Sequence, residues 1–129
     1  MAKKQTPKPT DSELEILQIL WQNGASTVKA VNEKLNEKKE TGYTTTLKML
    51  QIMFEKNLVE RDEKERSHVY KAVIDQTDIQ KVLLDKLLVT AFSGSAANLV
   101  MHALGNSQPS KVELKKIKAL LNQIEKDQR

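Results

Sequence analysis

The chain has 129 residues, 39% of them apolar and only 4% aromatic, which suits one small domain, or a domain with an appendage, built on an aliphatic core. Zero cysteines exclude disulfides and thiolate metal centres, and His68 and His102 are too few and too far apart for a zinc site, so neither metal nor cofactor is expected. The net charge of +4 is unevenly spread, with 13 Lys+Arg against 12 Asp+Glu in residues 1–75 and 8 against 5 in 76–129. Bulk charge therefore argues only weakly for a nucleic-acid partner, and any electrostatic footprint must come from local placement.

No apolar run approaches the roughly 20 residues needed to span a bilayer. The lysine-rich start leads to no signal-peptide core, so no membrane insertion and a cytoplasmic location are expected. Residues 1–9, with Lys3, Lys4 and Lys8 among two prolines, read as a flexible basic arm. Thr10 and Glu13 form a T-x-x-E capping box that opens a first helix to Asn23. Leu14, Leu17 and Trp21, with Leu20 beside them, give it a buried stripe, and Gly24 supplies the stop. Ser26 or Thr27 caps a second helix to about Lys38 that buries Val28, Val31 and Leu35. The ridge Glu37 to Glu40 and Gly42 then break the pattern.

A third helix starts near Tyr43 or Thr44 and ends at Lys56-Asn57, where Asn takes the left-handed position past the helix end. At 100° per residue, Tyr43, Thr46, Leu47, Met49, Leu50, Met53 and Phe54 gather on one side. Thr44, Thr45, Lys48, Gln51, Ile52 and Glu55 gather on the other. Such a helix buries one face and offers hydroxyls, an amide and a cation from the other. Those groups suit a DNA major groove, since hydroxyls and Lys bond phosphates while Thr, Gln and Lys also read base edges. Short strands follow at Leu58–Arg61 and His68–Val73, joined by the charged loop 62–67. Three helices and a hairpin are the order of a winged helix, with Lys64 and Arg66 as phosphate contacts of the wing and Glu63 and Glu65 opposing them.

Residues 76–129 read as helical. Asp75 or Thr77 caps a helix carrying Ile79, Val82, Leu83, Leu87 and Phe92, which stops at Ser93-Gly94. A short segment, Ser95 to Leu104, follows. Ser110 and Glu113 then form a second capping box, and Leu114, Ile117, Leu121 and Ile124 repeat with the 3-4-3 spacing of a coiled-coil seam. About 55 residues are too few to close a core alone. Pairing of two copies through Leu83, Leu87 and that seam is the expected way out, and a monomer with its tail folded back is the alternative. No phosphate loop, nucleophile elbow, H-E-x-x-H or kinase signature occurs, so an enzyme is not expected.

The runs E-L-E-I-L-x-x-L-W at 13–21, Y-T-T-T-L-K at 43–48 and R-x-H-V-Y at 66–70 together resemble the penicillinase-repressor (BlaI/MecI/CopY) family of bacterial winged-helix transcriptional repressors. The resemblance covers residues 10–75 well and the C-terminal helices more loosely. It implies a fold that is mainly α with a small β-hairpin. In chain order this would be a flexible arm at 1–9, a winged helix-turn-helix DNA-binding domain at 10–75 and a helical dimerisation region at 76–129.

It further implies a homodimer on a palindromic double-stranded DNA operator, with the third helix in the major groove. Thr44, Thr45, Thr46 and Lys48 match the family's recognition helix, where Thr46, inward on the helical wheel, would cap or orient the helix, and Arg66, Ser67 and His68 match its wing. Gln51 and Lys64 complete the contact set expected from the residues. The family's antibiotic-responsive branch is released when a membrane sensor-peptidase system triggers cleavage of an Asn-Phe bond. The matching bond here is His102–Ala103, which calls for a different specificity. The copper-responsive branch carries a cysteine cluster that this chain lacks. From the residues alone, a winged-helix protein–protein adaptor without DNA binding and a ligand-sensing regulator remain as alternatives.

Overall fold

The computed structural model describes residues 8–64 and 66–128. The arm lysines Lys3 and Lys4 and the wing residue Glu65 lie outside that range. The elements are α1 (Asp11–Asn23), β1 (Ser26–Thr27), α2 (Val28–Asn36), α3 (Tyr43–Glu55), β2 (Val59–Asp62), β3 (Val69–Ala72), α4 (Gln76–Phe92), α5 (Ala96–Gly105) and α6 (Lys111–Asp127). The chain divides into two compact units, Met1–Leu83 and Leu84–Arg129, and the division falls within α4.

In the first unit α1 begins where the capping box places it. Thr10 Oγ1 accepts from the Glu13 N–H at 3.2 Å, and Glu13 Oε1 accepts from the Thr10 N–H at 2.9 Å. The buried arc of α1 is Glu13, Ile16, Leu17 and Leu20. Leu14 and Trp21, expected at its centre, are half-buried at its margins. Apolar residues fill most of positions 14–21, so periodicity alone leaves the helix's rotation open. Glu13 settles it by facing inward. Trp21 ties α1 to the end of the sheet by donating its indole N–H to the Ile74 carbonyl at 2.9 Å.

Ile16, Leu17 and Leu20 meet Val28 and Val31 of α2, Leu50 and Met53 of α3, Leu58 and Val59 before and within β2, and Tyr70 of β3. Burying each large apolar side chain contributes roughly 1.5–3 kcal/mol, so this cluster is what holds three helices and a sheet together. The α3 end is a Schellman motif. Asn57 takes φ 63°, its N–H donates to the Phe54 carbonyl, and the Leu58 N–H donates back to the Met53 carbonyl at 2.9 Å. That turn delivers Leu58 straight into the core.

The sheet has three antiparallel strands in the order β1-β3-β2, one more than the expected hairpin. Ser26 and Thr27 pair with Tyr70 and Val69, and a two-residue strand carries no readable alternation. Thr27 also caps α2, accepting from the Ala30 N–H at 3.1 Å. The second helix stops at Asn36, short of Lys38.

In the second unit, α5 and α6 hold no fully buried residue. Ser110 and Glu113 close the second capping box. Leu87, Leu114, Leu121 and Ile124 stand 46, 40, 50 and 44% exposed, with Val112 and Met101 more open still. Among the described residues no single helix is long and apolar enough to cross a membrane.

Lys56 Nζ lies 2.6 Å from Glu13 Oε1, so one carboxylate serves both the α1 cap and the far end of α3. Burial raises the Glu13 pKa, but hydrogen bonds from Lys56 and the Thr10 backbone outweigh it and leave the carboxyl below its ordinary value of 4.5. A depressed folded value contributes stability that is present above pH 4.5 and is lost as pH falls through the folded value. Urea midpoints measured from pH 7 downward should therefore drop below that point in the wild type. Glu13→Gln should flatten that dependence and cost about 1–3 kcal/mol at neutral pH.

Candidate nucleic-acid interface

The core grips α3 through Thr46, Leu50 and Met53 and leaves Thr44, Thr45, Lys48, Gln51, Ile52 and Glu55 exposed. The polar row expected from the helical wheel is thus at the surface. Thr46 is the exception among the expected contacts. It is 0% exposed, its hydroxyl accepts from Asn32 Nδ2 at 2.8 Å, and it donates to the Gly42 carbonyl at 3.3 Å. A side chain so enclosed cannot reach a nucleic acid, and its place is inside the helix pair.

Tyr43 departs in the opposite direction. Expected on the buried side, it is 52% exposed because it stands at the first position of α3, ahead of the turns that meet the core. It lines a cleft with Leu47 and Gln51 of α3, Thr27 to Lys29 at the start of α2, and Arg66, Ser67 and His68 of the hairpin loop. This cleft joins α3 to the β2–β3 loop. Among the described residues that line it are the cations Lys29 and Arg66 and no carboxylate.

Lys29 went unread in the sequence, although it had a signal. It is the second residue of α2, where the positive end of the helix dipole disfavours a cation. A lysine at that position can meet an anion that approaches the cleft from outside. Among the described residues, Lys29, Lys48 and Arg66 enter no ion pair.

Lys64 does not share the cleft. It borders a separate hollow with Phe54, Glu60, Asp62 and Lys71. Here the opposition between carboxylates and cations at the wing is partly resolved. Glu63 Oε1 accepts from Arg61 Nε at 2.7 Å, and the same guanidinium lies 4.1 Å over the Phe54 ring. Arg61 comes from the core face of β2, opposite Tyr70, so its cation is spent inside the molecule and neutralises Glu63.

A family model described as penicillinase repressor matches residues 9–123. The chain belongs to that family. Among its relatives is the penicillinase repressor of Bacillus licheniformis, 24% identical over 120 residues that cover 93% of this chain and 94% of that one. The transcriptional regulator BlaI of Mycobacterium tuberculosis is 30% identical over 94 residues, covering 71% and 68%. The solution structure of the DNA-binding domain of the repressor BlaI is 25% identical, with a TM-score of 0.52 over 59% of this chain and 93% of that one. The family is one of transcriptional repressors and not of enzymes.

In this repressor the first unit holds the winged helix, with α3 as its third helix and the β2–β3 loop as its wing. Among the described residues, Lys48, Lys64 and Arg66 enter no ion pair, whereas Arg61 does. Arg61 is a structural cation by the same reasoning. Arg61→Ala should lower stability by about 1 kcal/mol through the lost ring contact and ion pair. Lys64→Ala and Arg66→Ala should stay within about 0.5 kcal/mol of the wild type in urea unfolding.

Proposed function

We propose that this repressor acts as a homodimer on a palindromic double-stranded DNA operator, with α3 in the major groove and the 62–67 wing on the backbone. The observation that carries this reading is the exposed row on a core-anchored α3, beside a cleft whose charged side chains, among the described residues, are cations. On this reading Thr44, Thr45, Lys48 and Gln51 face base edges or phosphates. Arg66, Ser67, His68 and Lys29 hold the backbone, Lys64 touches a flanking phosphate, and Thr46 orients the helix from within. The relatives' names as repressors, and a DNA-binding domain among the similar structures, support it.

The apolar residues that the second unit leaves open support pairing of two copies. Leu83, Leu87, Leu114, Ile117, Leu121 and Ile124 are the proposed seam. A two-fold pair would present its reading helices to half-sites roughly 34–36 Å apart. The domain roles follow: residues 10–75 read, 76–129 pair, and the 1–9 arm assists. Release by a membrane sensor-peptidase system would act at His102–Ala103. That bond lies inside α5, where the His102 ring packs 5.8 Å from Phe92, so cleavage there needs α5 to open first.

Two measurements test the reading. A duplex recovered from random-sequence DNA by the wild type should bind with an affinity that falls steeply as salt rises. Lys48→Ala should weaken that binding about tenfold and reduce the salt slope by about one, with an unchanged circular dichroism spectrum. Equal affinity would remove Lys48 from the interface. Ile117→Asp should convert a dimer to a monomer in sedimentation equilibrium and weaken binding at low protein concentration. A variant that stays dimeric would move the seam elsewhere.

A further inference from the structure

We propose that Asn32 is the positioning residue of the reading helix, setting where α3 begins against α2 without touching DNA itself. The inference rests on the DNA-reading role proposed for α3. Asn32 Nδ2 spends one hydrogen on the Thr41 carbonyl at 2.9 Å and the other on Thr46 Oγ1 at 2.8 Å. The Thr41 carbonyl can only accept. Thr46 directs its own hydroxyl hydrogen to the Gly42 carbonyl, which leaves its lone pairs for Asn32. The carboxamide therefore has one orientation. Asn36 completes the clasp from one turn later. Its amide donates to the Thr41 and Asn32 carbonyls at 2.9 and 2.7 Å, and its Oδ1 accepts from the Thr41 N–H at 2.9 Å.

This clasp sits where α3 has no side-chain cap. Gly42 occupies the N-cap and brings no side chain to it. The fully buried apolar side chains of α3, Leu50 and Met53, come later, and its first two turns bring only the half-buried Leu47 and Met49 to the core. Apolar packing is non-directional and tolerates small slides and rotations, whereas hydrogen bonds to fixed atoms fix both distance and angle. Thr44, Thr45 and Lys48 stand on the first two turns, where the clasp supplies the directional bonds and Leu47 and Met49 only non-directional packing. A reading side chain displaced by even about 1 Å loses its geometry. A polar network buried at Thr46 is therefore a device for register, beyond what burial of a methyl group would supply.

The test uses the full-length chain and two duplexes: one recovered from random-sequence DNA by the wild type, and one scrambled to the same composition. Asn32→Ala should weaken binding to the recovered duplex by about tenfold and leave the scrambled duplex unaffected, because no charge is removed. Thr46→Val should reproduce the loss and Thr46→Ser should restore binding. The Asn32→Ala, Thr46→Val double variant should be no weaker than either single one. Ile16→Val, a core change that removes none of these hydrogen bonds, should lower the urea midpoint while keeping affinity for the recovered duplex.

Asn32→Ala and Thr46→Val bound as tightly as the wild type would overturn the inference, as would equal losses on both duplexes. So would an Ile16→Val variant that loses as much selectivity. If the wild type itself recovers no preferred duplex, the DNA-reading proposal falls and takes this one with it. If Asn32→Ala does not fold, the pair of Thr46 variants decides.

Discussion

Anchoring α3 by one face while keeping the other free is the constraint on which the first unit is built. A helix of 13 residues held only by Leu50 and Met53 would sit in an apolar trough with no fixed register. Directional bonds at both ends remove that freedom. At the start, Asn32 and Asn36 tie the turn before α3 to α2. At the end, Lys56 reaches the Glu13 carboxylate and Asn57 turns the chain so that Leu58 enters the core. The same Glu13 caps α1, so the entry to the first helix and the exit from the third share one group. The polar atoms of this unit are placed where geometry matters, and the apolar ones where energy does.

The electrostatics follow the same division. Residues 1–75 are almost neutral in sum, which argues against indiscriminate attraction to phosphate. Within that balance, Glu63 is occupied by Arg61 and Glu13 by Lys56, and Lys34 lies 3.6 Å from Glu37. Pairing within the fold leaves Lys29, Lys48 and Arg66 without a carboxylate partner among the described residues. Local placement therefore achieves what the total charge does not, a small cationic cleft next to a polar helix face.

How much of this was legible depended on sequence separation. The capping boxes at Thr10/Glu13 and Ser110/Glu113 join partners three residues apart, the left-handed turn at Asn57 is a single position, and the structure has each of them. The exposed face of α3 was legible from its period. The Glu13–Lys56 pair, 43 residues apart, was not, and without it the rotation of α1 stayed open. Ser26-Thr27 could not be read as a strand because two residues show no alternation and the pairing partner is distant. Thr46 was visible as inward-facing, but its partner Asn32 lies on another helix and only packing reveals the bond. Tyr43 was misplaced because a helical wheel assigns sides without knowing where along the helix the core begins.

The two units differ in what folding alone achieves for them. The first closes a core, whereas α5 and α6 bury no residue fully and leave apolar side chains at 40–72% exposure. Apolar surface on that scale contributes when something covers it, at about 25 cal/mol per Å². In the proposed dimer the cover is a second copy, which links the stability of the second unit to protein concentration and to DNA. A near-neutral reading unit has little non-specific affinity to spend, so one copy alone would hold an operator weakly. In the proposed dimer, two copies joined by the second unit would bring the second reading helix to its half-site at high effective concentration. Selectivity would then come from a modest interface used twice, and opening α5 or separating the proposed seam would release both halves together.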